Sequence, residues 1–131
     1  MSGYILDDVA LSAGLAGHGS EHHRRELSRL LHAAIEGGPT LDIPALCLNM
    51  ATTARPALSG HLADIIAAAP AGAIDICGLT RTDHLDTLRT AHPQLGWAPT
   101  HAAVHALTTG LPILTVDNRR YAGLAVDVLS L

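Results

Sequence analysis

Short apolar runs alternate along this chain with longer stretches whose apolar positions recur every three to four residues. Tyr4-Ile5-Leu6 is β-prone and stops on Asp7 and Asp8, as a buried parallel strand does. From Ser20 the period becomes helical, with Leu27, Leu30, Leu31, Ala34 and Ile35 on one face, and Gly37-Gly38-Pro39 ends the helix. Thr40 to Ile43 reads as a second strand, after which Pro44 opens an apolar helix beginning Ala45-Leu46-Cys47-Leu48. Ser59 is the expected cap of a helix with Leu62, Ile65, Ile66 and Ala69, closed by Pro70 and Gly72. Ala73 to Cys77 alternates as a strand, and Thr82 is the expected cap of a helix bearing Leu85 and Leu88. Pro99 to Thr109 forms a further helix stopped by Gly110. Pro112 to Val116 is a strand ending on Asp117, and Ala125 to Leu129 is a last β-prone run.

Strands alternating with helices predict right-handed crossovers and a parallel sheet covered on both faces. The expected fold is a three-layer α/β/α sandwich with a mostly parallel sheet of four or five strands, formed by residues 1–131 as one domain. Ligands of such sheets bind beyond the carboxyl ends of the strands. Asp7 and Asp117 fall at two of those ends, far apart in sequence.

Composition narrows the picture. With 131 residues, 48% hydrophobic and 15% charged, the chain belongs to the globular class and not the disordered one. Its apolar runs fall short of the roughly 20 residues a bilayer crossing needs, so no membrane association is expected. The N-terminus has no basic start followed by an apolar stretch. Cys47 and Cys77 lie in apolar surroundings without C-x-x-C spacing, which reads as buried thiols in a reducing, cytoplasmic setting. Lysine is absent, the 8 basic residues are all arginine, and with 12 acids the net charge is −4, so no global basic field marks a nucleic-acid binder. Arg24, Arg25 and Arg29 lie together, as do Arg119 and Arg120; they read as solvated helix and turn faces, with a local basic patch as the alternative.

Two carboxylates gathered at a sheet edge repel, and a cation or a shared proton relieves them. A hard cation such as Mg²⁺ or Mn²⁺ would activate water against a phosphodiester. The other reading of Asp7 and Asp117 is that each caps the helix that follows it.

The order of segments resembles the PIN domain, the fold of VapC-type toxin ribonucleases. Tyr4-Ile5-Leu6-Asp7-Asp8-Val9-Ala10-Leu11 resembles that family's first strand, its acid and its helix start. Ile43-Pro44-Ala45-Leu46-Cys47-Leu48 resembles the strand-to-helix step before the family's glutamate. Ala103, Ala106, Gly110-Leu111-Pro112-Ile113-Leu114-Thr115-Val116-Asp117 and Tyr121 resemble its late helix, turn, Thr-x-Asp strand end and following aromatic.

The resemblance implies a metal-dependent endoribonuclease, the toxin of a toxin–antitoxin pair. Asp7 and Asp117 would be its catalytic residues and its Mg²⁺ or Mn²⁺ ligands, and Thr115, Asn118 and Arg119 would touch substrate. It implies RNA as substrate, an antitoxin protein as partner and a homodimer as assembly. The sequence departs from the family at two of its acids. Asn49 and Met50 stand where the glutamate falls, and Pro99, Thr100 and His101 where the late helix brings an aspartate. The alternative expectation is therefore a catalytically inactive PIN-like domain, without cofactor, acting through protein binding or dimerisation.

His101 and His105 are four residues apart and share a helix face. Imidazole beside carboxylate suits Zn²⁺ or another softer divalent metal, so His101 is a candidate third ligand with Asp7 and Asp117. The bland alternative is a partly exposed face bonded to water. His18, His22 and His23 read as a polar turn, and His32, His61, His84 and His92 as solvent-facing. No Cys–His pair is legible in the sequence.

Overall fold

The computed structural model describes residues 2–131. Strand β1 (Gly3–Leu6) leads into helix α1 (Asp8–Leu15), and α2 (Glu21–Ile35) returns the chain to β2 (Thr40–Pro44). Helices α3 (Ala45–Ala54) and α4 (Leu58–Ala68) precede β3 (Ile74–Cys77). Helices α5 (Thr82–Ala91) and α6 (Trp97–Thr109) then lead to β4 (Ile113–Thr115), a 3₁₀ turn (Asn118–Tyr121) and β5 (Val128–Ser130). The five strands lie in the order β3-β2-β1-β4-β5 and every pairing is parallel, which makes the fold a PIN-like α/β/α sandwich.

Central strand β1 explains the apolar runs. Ile5 and Leu6 are neighbours that point to opposite faces, and both are fully buried, as a strand covered on both sides requires. Leu11 of α1, Leu41 and Ile43 of β2, Ile113 of β4, Leu27 of α2 and Leu58 and Leu62 of α4 are the other large apolar side chains buried completely. Gly110 caps α6 at φ 77°, a left-handed conformation that glycine adopts without penalty, and the chain turns there into β4. Among the described residues no helix is long and apolar enough to cross a membrane.

Several boundaries differ from the sequence reading. Helix α4 begins one residue before Ser59, and Ala57 in the cap position makes no side-chain cap bond. Leu58 is fully buried, so packing and not a hydroxyl sets that start. Thr82 is likewise the first helical residue of α5 and not its cap. Ser20 does cap α2: its Oγ accepts from the His23 amide, and His23 Nδ1 accepts from the Ser20 amide. This reciprocal cap gives His23 a local role. Ser20→Ala is expected to cost about 1 kcal/mol by urea unfolding, and an unchanged midpoint would show that solvent serves the amide equally well.

Candidate active site

The carboxyl ends of β1 and β4 lie side by side, since Leu6 pairs with Leu114 and the Asp7 amide donates to the Leu114 carbonyl at 3.4 Å. Strand β1 stops at Leu6, and Asp7 becomes the N-cap of α1, with Oδ1 accepting from the Ala10 amide at 2.9 Å. Its other oxygen accepts from the Tyr121 hydroxyl at 2.7 Å and from Arg120 Nη1 at 3.4 Å. Asp7 is fully buried. Burial raises its pKa above the usual carboxylate value, while hydrogen bonds from Thr115, Tyr121 and the Ala10 amide pull against that rise. Burial foremost, and then the neighbouring Asp7 carboxylate, hold the Tyr121 phenol far above its ordinary pKa, so it stays a donor to Asp7.

Had the strand continued through Asp8, its side chain would point away from that of Asp7. Because the strand has ended, Asp8 sits in the first turn of α1 instead, and both acids meet one guanidinium. Arg120 Nη1 donates to Asp8 Oδ1 at 2.7 Å and Nη2 to Asp8 Oδ2 at 3.5 Å. Arg120 is thus no solvated turn residue: its side chain is 20% exposed and lies between an Asp7 side chain 0% exposed and an Asp8 side chain 9% exposed. The 3₁₀ turn carries Arg120 and Tyr121 to the acids together.

The remaining candidate residues are distributed around this closed cluster. Thr115 is fully buried beside Asp7, and its Oγ1 accepts from the Asp117 amide at 3.1 Å. Asp117 lies two residues past the end of β4, is exposed, and makes no side-chain cap bond. Asn118 is exposed and exchanges hydrogen bonds with Ser130. Arg119 is exposed and, with Arg120, borders a cavity of about 220 Å³.

His101 is buried, not water-facing: Nδ1 accepts from the Leu46 amide and Nε2 donates to the Gly78 carbonyl, both at 3.3 Å. Burial lowers its pKa, and the neutral ring commits both nitrogens. Asp7, Asp117 and His101 do not form a set with donor atoms within 4.8 Å of one another among the described residues. Nor do these residues fit Mg²⁺ or Mn²⁺, which need several free oxygen ligands and net negative charge. Asp7 is saturated and Arg120 already supplies the positive charge. Asn49 and Met50 are exposed and line an apolar groove.

Cys47 is buried as expected. Its thiol donates to the Ala98 carbonyl at 3.1 Å, and burial raises its pKa well above the ordinary value. Cys77 is only half-buried and belongs to a cluster the sequence did not show. Its Sγ lies 3.5 Å from His105 Nε2, and the same nitrogen lies 2.7 Å from Asp42 Oδ2. Asp42 first, and Cys77 after it, raise the His105 pKa to about 10. Cys77 and Asp42 lie 28 and 63 positions before His105; the sequence signal was only the helical spacing of His101 and His105. Among the described residues they are the group of acidic, cysteine and histidine donors that converges within 4.8 Å.

No family model and no curated protein sequence matches the chain. Solved structures do. The chain is similar to the crystal structure of PAE2754 from Pyrobaculum aerophilum with a TM-score of 0.62 and 17% identity, over 98% of this chain and 89% of that one. It is similar to that of FitAcB from Neisseria gonorrhoeae with a TM-score of 0.64 and 17% identity, over 96% of each chain. At such identity the shared property is the fold, along its whole length.

Proposed function

We propose that this PIN-like domain is not a nuclease and works by binding protein. The observation that carries this reading is the Arg120 guanidinium between Asp7 and Asp8, an internal cation where a metal-dependent hydrolase would need a free carboxylate cage. The surface offered to a partner is the groove of about 470 Å³ between α3, α5 and the start of α6. Met50, Leu79 and Trp97 at this groove are 51%, 49% and 46% exposed, an unusual concentration of large apolar groups for a surface. A second copy of the chain is the proposed occupant, since one apolar patch carried by two identical chains can be covered by both in a closed two-fold dimer. An antitoxin-like peptide is the other occupant that the sequence resemblance implies.

The second reading is the endoribonuclease toxin, acting on RNA through Asp7 and Asp117. It is favoured by one observation, the adjacency of the two strands that these acids follow. Incubating the protein with structured RNA and either Mg²⁺ or Mn²⁺ separates the two. The non-nuclease reading expects no cleavage that Asp7→Asn or Asp117→Asn reduces, and a shift toward monomer in sedimentation for Trp97→Asp. Metal-dependent cleavage lost in Asp7→Asn would overturn it.

A further inference from the structure

We propose that Asp42, Cys77 and His105 form a binding site for a zinc-class divalent cation, separate from the closed Asp7 pocket and independent of the functional reading above. The β2–β3 register pairs Asp42 with Asp75 and Pro44 with Cys77, so the two-residue strand period places Asp42 and Cys77 on one face of the sheet. Helix α6 brings His105 to that face. The three donor atoms come from three elements and lie within 4.8 Å of one another.

Their spacing is close to what a tetrahedral ion demands. With bonds of the usual zinc lengths, neighbouring ligand atoms stand about 3.3–3.6 Å apart. The Cys77 Sγ to His105 Nε2 distance is 3.5 Å, and the 2.7 Å Asp42 to His105 contact needs only a small opening. Both contacts converge on one ring nitrogen, which carries at most one proton and can donate a full hydrogen bond to only one of them. A cation in place of that proton satisfies both partners at once. Metal uptake would release the proton on His105 Nε2 and the Cys77 thiol proton to solvent.

The donor chemistry selects the ion. A thiolate, an imidazole and one carboxylate match Zn²⁺ or Co²⁺ and reject Mg²⁺ and Ca²⁺, which take oxygen ligands. Asp42 and His105 side chains are each 19% exposed, sheltered but reachable. A cavity of about 40 Å³ bordered by Gly78, His101 and His105 exceeds the roughly 10–15 Å³ needed to hold a water, so solvent has room next to the histidine of the set. Bound metal would clip α6 to the edge of the sheet.

The test is titration of tag-free, reduced, chelator-treated protein with Zn²⁺ by calorimetry and with Co²⁺ by absorption. One equivalent is expected to bind at micromolar or lower concentration, with a thiolate-to-cobalt charge-transfer band. Cys77→Ser should remove the band and weaken Zn²⁺ by about a hundredfold or more, whereas Cys47→Ala and Asp7→Asn should bind as the parent does. The wild-type spectrum tests the thiolate ligand even where a variant fails to fold. Absence of binding below about 100 µM, a Co²⁺ complex without the band, or a band that persists in Cys77→Ser would overturn the proposal and leave a hydrogen-bonded ion pair.

Discussion

Arg120→Ala is expected to lower unfolding free energy by about 3–5 kcal/mol, because removing one partner of a buried ion pair strands the other charge. Here two carboxylates are stranded. Asp7 and Asp8 lie almost wholly out of water, and the guanidinium supplies contacts at 2.7, 3.4 and 3.5 Å that no neighbour replaces. At this chain length the loss corresponds to a fall in Tm of about 10–20 °C. Arg120→Lys should recover part of it, since a single ammonium cannot span both acids as a fork does. Adding Asp8→Asn to Arg120→Ala should also restore stability by removing one unpaired charge. Urea unfolding of the four proteins measures this directly. A loss under about 1 kcal/mol for Arg120→Ala would mean that the two carboxylates are neutralised by something other than the arginine.

His105→Ala is expected to cost about 2–3 kcal/mol in metal-free protein, the penalty for leaving the half-buried Asp42 carboxylate unpaired. His105→Gln, whose amide can still donate to Asp42, should lose about 1 kcal/mol. The pair also sets a pH dependence. Its bond to Asp42 raises the His105 pKa to about 10 in the fold, against roughly 6.5 when unfolded. A raised cationic pKa stabilises fully below the unfolded value, and that contribution drains as pH climbs toward the folded one. With chelator present, the urea midpoint of the parent should therefore decline between about pH 6.5 and 10 more steeply than that of His105→Gln. Parallel profiles would show that His105 is not protonated in the fold.

The layered fold was legible because its signals are local. Ile5 and Leu6 on the central strand, the Leu27-to-Ile35 face of α2 and the Gly110 stop are each read from a few consecutive residues. Caps were less legible: Ser20 acts as one, while Ser59 and Thr82 do not, since α4 already begins at the buried Leu58 and α5 takes Thr82 as its first helical residue. The site divides in the same way. That Asp7 stands at a strand end facing a helix is visible in the sequence. That its counter-charge is Arg120 is not, since the two are 113 residues apart and Arg120 looks like its exposed neighbour Arg119. One residue of strand length also decided the fate of Asp8, which joins the cluster only because β1 stops at Leu6. The four-residue spacing of His101 and His105 puts them on one face of α6, but the partners of His105 lie on β2 and β3, and nothing local to α6 names them.

The central claim is that the acidic pocket at the carboxyl edge of the sheet is already neutralised from within by Arg120. Calorimetric titration of chelator-treated wild-type protein and Asp7→Asn with Mg²⁺ tests it most directly, because Mg²⁺ ignores the thiol and imidazole of the Cys77 cluster. The account predicts no Mg²⁺ binding tighter than about 1 mM in either protein. Micromolar binding in the wild type that vanishes in Asp7→Asn would contradict it and return the pocket to metal chemistry.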